Sequence, residues 1–169
     1  MNTYTKPVWV IEGEKHIGLK EIPGPKHNST IVGWLKFLKA WYFEDDTPWC
    51  GTFVAHCMKT AGLTIPTNWM RAKDWSTGWG VRLAPPIYGC VVVFERTGGG
   101  HVGFVIGQTK EGLLAVMGGN QANAVNVAKF PKDRVVGYYW PRDYTLPANG
   151  VFLPLPVVTV AGGVSVNEA

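Results

Sequence analysis

Residues 90 to 140 hold five short runs rich in β-branched and aromatic side chains: CVVVFE, HVGFVIGQ, LLAVMGG, AVNVAKF and RVVGYYW. No gap between consecutive runs exceeds five residues, and the first three gaps are punctuated by Gly or Asn. A parallel crossover needs about a dozen residues or more, so strands this closely spaced have to pair with antiparallel neighbours. The second half of the chain is therefore expected to be an antiparallel meander of about five strands.

The first half reads differently. In NSTIVGWLKFLKAW, Asn28 or Ser29 can cap a helix whose apolar stripe is Ile31, Trp34, Leu35, Leu38 and Trp41. A second helix is expected to begin near Pro48, with Thr47 as N-cap and Pro48 at the first helical position. Its stripe is Cys50, Phe53, Val54, Cys57, Met58 and Ala61, closed by Gly62. The segment TNWMRAKDWSTGWG is expected to be partly helical. Helices followed by a sheet make an α+β domain. One domain over residues 1–145 is expected, followed by an apolar tail over residues 146–169. Pro154 and Pro156 interrupt that tail, which reads as a strand, a packing arm or a disordered end.

Charge and composition exclude several functions. Charged residues make up 17% and hydrophobic residues 46% of the 169, as in a globular chain. The net charge of +4 is not gathered into a basic stripe interleaved with aromatics, so nucleic acid is not an expected partner. No stretch is long and apolar enough to span a bilayer as a helix, and no stable membrane insertion is expected. The first residues, MNTYTKPVWVIEGEK, lack the apolar run and cleavage site of a signal peptide, so synthesis in the cytoplasm is expected. A monomer without cofactor is expected. The eight tryptophans are either core or the walls of a groove.

Reactive chemistry has few carriers. The three cysteines form no C-x-x-C pair, and Cys50 and Cys57, seven apart on one helix, lie about 10 Å apart, too far to bridge. Cys57 and Cys90 read as core. Cys50 reads either as another core side chain or as a nucleophile, its thiolate favoured by the positive end of the helix. A nucleophilic cysteine needs a base. His56 points far round the same helix from Cys50, and His16 and His27 sit in a polar segment where exposure is the default. His101 opens an apolar strand after TGGG. A turn centred on Lys110 and Glu111 would set His101 opposite Asn120 in GGNQ, an imidazole facing a carboxamide. That pair reads either as a base with its orienting group or as a satisfied polar pair, and it depends on the register. Gly100 and its neighbours would let a substrate chain approach, or serve only as turn residues. Cys50, Cys90 and His101 lack the close-spaced pairs of a metal site, and no metal is expected.

Three stretches, DDTPWCGTFVAHCMKTAG, GCVVVFERTGGGHVGFVIG and VMGGNQANAVNV, resemble a bacterial and phage family of papain-like cysteine peptidases. This is the NlpC/P60–CHAP type, which includes phage endolysins and cell-wall hydrolases. GLKEIPGPKHNSTIVGWLK and RAKDWSTGWG extend the resemblance from about Glu14 to about Pro141. It implies a papain-like fold and a peptidoglycan amidase or endopeptidase that meets the bacterial cell wall after release through a holin or a secretion machine. By motif it implies Cys50 as nucleophile, His101 as general base and acid, and Asn120 as orienting group. Gln121 is a second candidate for that third role, and Asp46 could tune the site. Trp49, Trp75 and Trp79 are candidates to wall the groove with Gly100. The same motifs would suit a toxin-type amidase effector, or a non-catalytic wall-binding or phage structural module that kept the fold.

Overall fold

The computed structural model describes residues 4–148 and 153–166. Three helices, α1 (Val8–Glu14), α2 (Ser29–Phe37) and α3 (Cys50–Thr60), precede or cover a single six-stranded antiparallel sheet. Its strands are β1 (Gly80–Leu83), β2 (Val91–Arg96), β3 (Gly99–Gln108), β4 (Leu114–Gln121), β5 (Ala124–Phe130) and β6 (Val135–Pro141). The fold is α+β, with six strands rather than five.

Asn28 caps α2 as its position suggests, its side chain accepting from the backbone N–H groups of Thr30 and Ile31. That helix stops at Phe37, one turn earlier than its apolar stripe implies. Lys39 takes a left-handed φ of 57°, and Ala40 N–H bonds back to Leu35 C=O while Lys39 N–H bonds to Lys36 C=O. This is a Schellman ending built without glycine. It throws Trp41 out of the stripe, leaving it 82% exposed. The same ending, with Gly62 at φ 78°, closes α3 where glycine was expected.

Helix α3 begins at Cys50 with Trp49 as N-cap, two residues later than the Thr47–Pro48 start expected from the sequence. The Thr47 hydroxyl instead donates to the Glu44 carboxylate. Helix α1 is not foreseen from its seven residues; it packs beside α3 and fixes its place by donating a Trp9 indole N–H to Gly89 C=O.

Strands β2 to β5 form the expected meander. The last strand departs from it, because β6 returns to pair with β2, and β1 flanks β6 at the edge. Strong coiling of the sheet makes this return short. Phe130, at the end of β5, stacks on Phe94 of β2 with ring centroids 4.5 Å apart. The Arg134 guanidinium lies 5.8 Å from each of those rings. Only Pro131 and one 3-10 turn, Lys132–Arg134, then separate β5 from β6.

The tail resolves into an arm. Gln108 N–H bonds to Pro156 C=O, Val158 N–H to Gln108 C=O, and Ser165 N–H to Lys129 C=O. Leu155 is buried in the process. Residues 149–152 and 167–169 of the tail lie outside the described residues.

Candidate active site

Cys50 is the first residue of α3, and the helix stands against β3 and β4. Two glycines allow this approach. A Cβ on Gly119 of β4 would lie 2.6 Å from Phe53 Cβ and 2.8 Å from Trp49 Cζ3, so only a bare backbone fits under the start of the helix. A Cβ on Gly51 would collide with the carbonyl oxygen of Trp69. Cys50 is thus pinned between the loop that carries Trp69 and the strand that carries His101. The backbone N–H of Val102, the residue after His101, favours the charged form of the Cys50 sulfur.

At only 5% exposed, Cys50 does not keep the low pKa expected of a helix start. Burial pushes its thiol up, against the opposing pull of the Val102 and Gly51 N–H groups and the Arg96 guanidinium. Desolvation of the charged form outweighs the helix terminus, which corrects the expectation of a favoured resting thiolate. A base must therefore take the proton.

His101 is 1% exposed, and its ring is fixed on two sides. It stacks on Phe130 at 5.4 Å with the planes 8° apart, and its Nε2 lies 2.9 Å from Gln121 Oε1. The orientation of the Gln121 amide follows from its other end. Nε2 donates to Val116 C=O, Asn126 C=O and Asn126 Oδ1 at 2.8 to 3.2 Å. A flipped amide would set its oxygen against three acceptors. Gln121 Oε1 therefore accepts, His101 Nε2 carries the proton, and Nδ1 is the basic nitrogen.

The expected His101–Asn120 register is met only in part. Phe104 pairs with Met117 and Val105 with Val116, the alignment that would continue to 101 and 120. A bulge between Val105 and Gly107 absorbs the one-residue offset of the turn, which is centred a step later than expected. A second irregularity, between Gly118 and Gln121 on the β5 side, breaks the alternation. Asn120 sits there at φ 55°, and the side chain that reaches His101 belongs to Gln121. Asn120 is buried, but the His101 partner is its neighbour. Gly118 leaves room for this pair: a Cβ there would come within 2.5 Å of Gln121 Oε1.

A cleft of about 380 Å³ opens beside Cys50 and is lined by Pro48, Met70, Arg71, Ala72, Lys73, Asp74, Arg96, Gly99 and Gly100. A Cβ on Gly100 would lie 2.9 Å from Phe94 C=O and 3.1 Å from Lys73 Cγ, so the backbone is bare on this side of the cleft. The tryptophans expected to wall the groove do not line it. Trp49, Trp75 and Trp79 are buried, and their indole N–H groups donate to Glu21, Trp69 C=O and Thr64 C=O. Packing of α3 and of the Ala72–Ser76 turn consumes them. A larger cavity of about 600 Å³, lined in part by Tyr4, Tyr88, Trp140, Tyr144 and Asp143, includes neither cysteine nor histidine in its lining.

Asp46 is exposed, whereas its neighbour Asp45 is buried. Asp45 accepts from Ile22 N–H, Asn28 N–H and His27 Nδ1, and so ties the loop before α3 to the N-terminal segment. Burial raises its pKa, and these donors together overcome that and hold the carboxyl below its ordinary value. Sequence reasoning passed over Asp45, Asn126 and Phe130. Asn126 and Phe130 act through pairings that only the register reveals.

A buried cysteine at a helix start, held against a strand whose histidine is bound by a carboxamide, is the arrangement to compare with known proteins. Residues 42–120 match the CHAP domain family. That match is consistent with a papain-like peptidase of the NlpC/P60–CHAP type. A CHAP domain implies, in general, a peptidoglycan-hydrolase or amidase-type function, and CHAP domains are typically cysteine- and histidine-dependent. The matched CHAP segment contains Cys50 and His101 and ends at Asn120, one residue before Gln121. No curated protein and no solved structure matches the chain.

Proposed function

We propose that the protein hydrolyses an amide bond of bacterial peptidoglycan, with Cys50 as nucleophile, His101 as general base and acid, and Gln121 orienting His101. The observation that carries this reading is the Gln121–His101 bond, which makes Nδ1 the basic nitrogen of an imidazole one residue from Val102, whose backbone N–H favours the charged form of the Cys50 sulfur. His101 Nδ1 takes the thiol proton, and the thiolate attacks the substrate carbonyl. The backbone N–H groups at the start of α3 receive the oxyanion, a role worth about 3 kcal/mol per donor. His101 returns the proton to the leaving amine, and water then releases the acyl group from the thioester.

The cleft supports an acidic peptide as substrate. Arg71, Lys73 and Arg96 outnumber a single carboxylate, Asp74, among its lining residues, and Lys73 also pairs with Glu95 at 2.7 Å. Wall stem peptides carry free carboxylates, and a cationic cleft concentrates them.

The test compares wild type and Cys50→Ala on isolated peptidoglycan, with released fragments weighed by mass spectrometry. Fragments with new amine and carboxyl ends from the wild type alone are expected, and their masses identify the bond. Equal release by both proteins would remove Cys50 from the chemistry. Binding to the wall without release by either would favour the non-catalytic module.

A further inference from the structure

We propose that Glu12, His16 and His56 form a binding site for one divalent transition-metal ion, with Zn²⁺ as the ion its donors suit, and that the ion ties α1 to α3. The site is separate from the Cys50 cleft and does not depend on the reading of that cleft. Glu12 lies on α1, His16 just past its end, and His56 on α3. Their ligand atoms all lie within 4.8 Å of one another. His16 Nε2 is 3.0 Å and His56 Nε2 3.2 Å from the same oxygen, Glu12 Oε1. Ligands at the usual zinc distances of about 2.0–2.2 Å stand about 3.3 Å apart around a tetrahedral ion, so these edges need little adjustment.

The surroundings hold each ligand in place. Lys15 Nζ donates to Glu12 Oε2 at 2.8 Å, which leaves Oε1 to face the two rings. Trp34 stacks on the His56 ring at 4.9 Å and meets the His16 ring edge-on at the same distance. Phe37 closes on His56 from another side. The three side chains are 12 to 19% exposed, enough for an ion to enter and for water to fill a fourth position.

As a hydrogen-bond cluster alone the group is poorly served. Glu12 Oε1 is shared between two imidazoles, and His56 Nδ1 is buried without a partner. Two imidazole nitrogens converging with one carboxylate oxygen match the His₂Glu donor set that zinc takes with an open fourth position. Calcium and magnesium, which want six or more oxygens or an octahedral shell of waters, fit it badly.

The experiment uses the full chain carrying Cys50→Ala, so that the cleft thiol binds no metal; Cys57 and Cys90 are fully buried. After chelation and desalting, the protein is titrated with zinc chloride by calorimetry and, separately, with cobalt chloride by visible absorption. One ion per chain, the intense ligand-field bands of tetrahedral Co²⁺ and a zinc-dependent rise in thermal midpoint are expected. Adding Glu12→Gln or His56→Ala should weaken binding by about 100-fold or more, beyond the loss of an outer-shell partner. His16→Ala, outside both helices, gives the same test if the helix substitutions disturb folding. Absence of saturable binding, or binding that survives all three substitutions, would overturn the proposal.

Discussion

At the scale of single residues, the site depends on one amide. Gln121 sends its two N–H bonds to acceptors around Asn126 and Val116, and its remaining oxygen decides which nitrogen of His101 holds the proton. Gln121→Ala should lower kcat by about 100-fold, the scale of a disturbed general base, with KM little changed. Asn120→Ala should do far less. Steady-state kinetics on a soluble wall peptide decides between them, and a larger loss from Asn120→Ala would return the orienting role to that residue. The thiol offers a second reading. Because burial raises the Cys50 pKa, alkylation of His101→Ala by iodoacetamide should titrate with a midpoint above that of an ordinary thiol. A midpoint at or below the ordinary value would mean that the helix start outweighs desolvation after all.

At the scale of elements, the site exists because a helix start can lie almost on a strand. Gly119 makes that contact, and Gly119→Val should cost about 1–3 kcal/mol through forced displacement of Phe53 and Trp49. Denaturant titration measures it; an unchanged midpoint would show that α3 can yield. The stripes of α2 and α3 and five of the six strands were legible in the sequence, because a period near 3.6 or 2 survives in the side chains whatever they pack against. Strand β1 was not, since its four residues carry no alternation and pair only with β6. The start of α3 was misplaced because Thr47 found Glu44 rather than the helix to bond. The third member of the site hinged on two bulges, and a bulge leaves no periodic trace in sequence.

For the whole molecule, the long-range packing was the least legible part. Nothing local announces that β6 will return to β2; that follows from coiling, which the Phe94–Phe130 stack reports only after folding. Phe130 also lies flat on His101, so the same closure that ends the sheet sets the plane of the base. The C-terminal arm belongs to this scale too. It adds hydrogen bonds to Gln108 and Lys129, and Arg134 donates to Ser165 C=O. At about 0.5–1.5 kcal/mol each, their removal by truncation before residue 153 should lower stability by about 2 kcal/mol or more. Thermal melts of the two lengths test this, and equal midpoints would reduce the arm to a passive appendage.

The early close of α2 has an optical consequence. Seven of the eight tryptophans are buried and only Trp41 stands in water. Its emission is the part of the protein's fluorescence that iodide can reach, while the other seven report the integrity of the interior. Trp41→Phe would leave a chromophore set that is dark to the quencher until the fold opens, so that a single dye-free signal distinguishes the intact molecule from any state in which its core admits solvent.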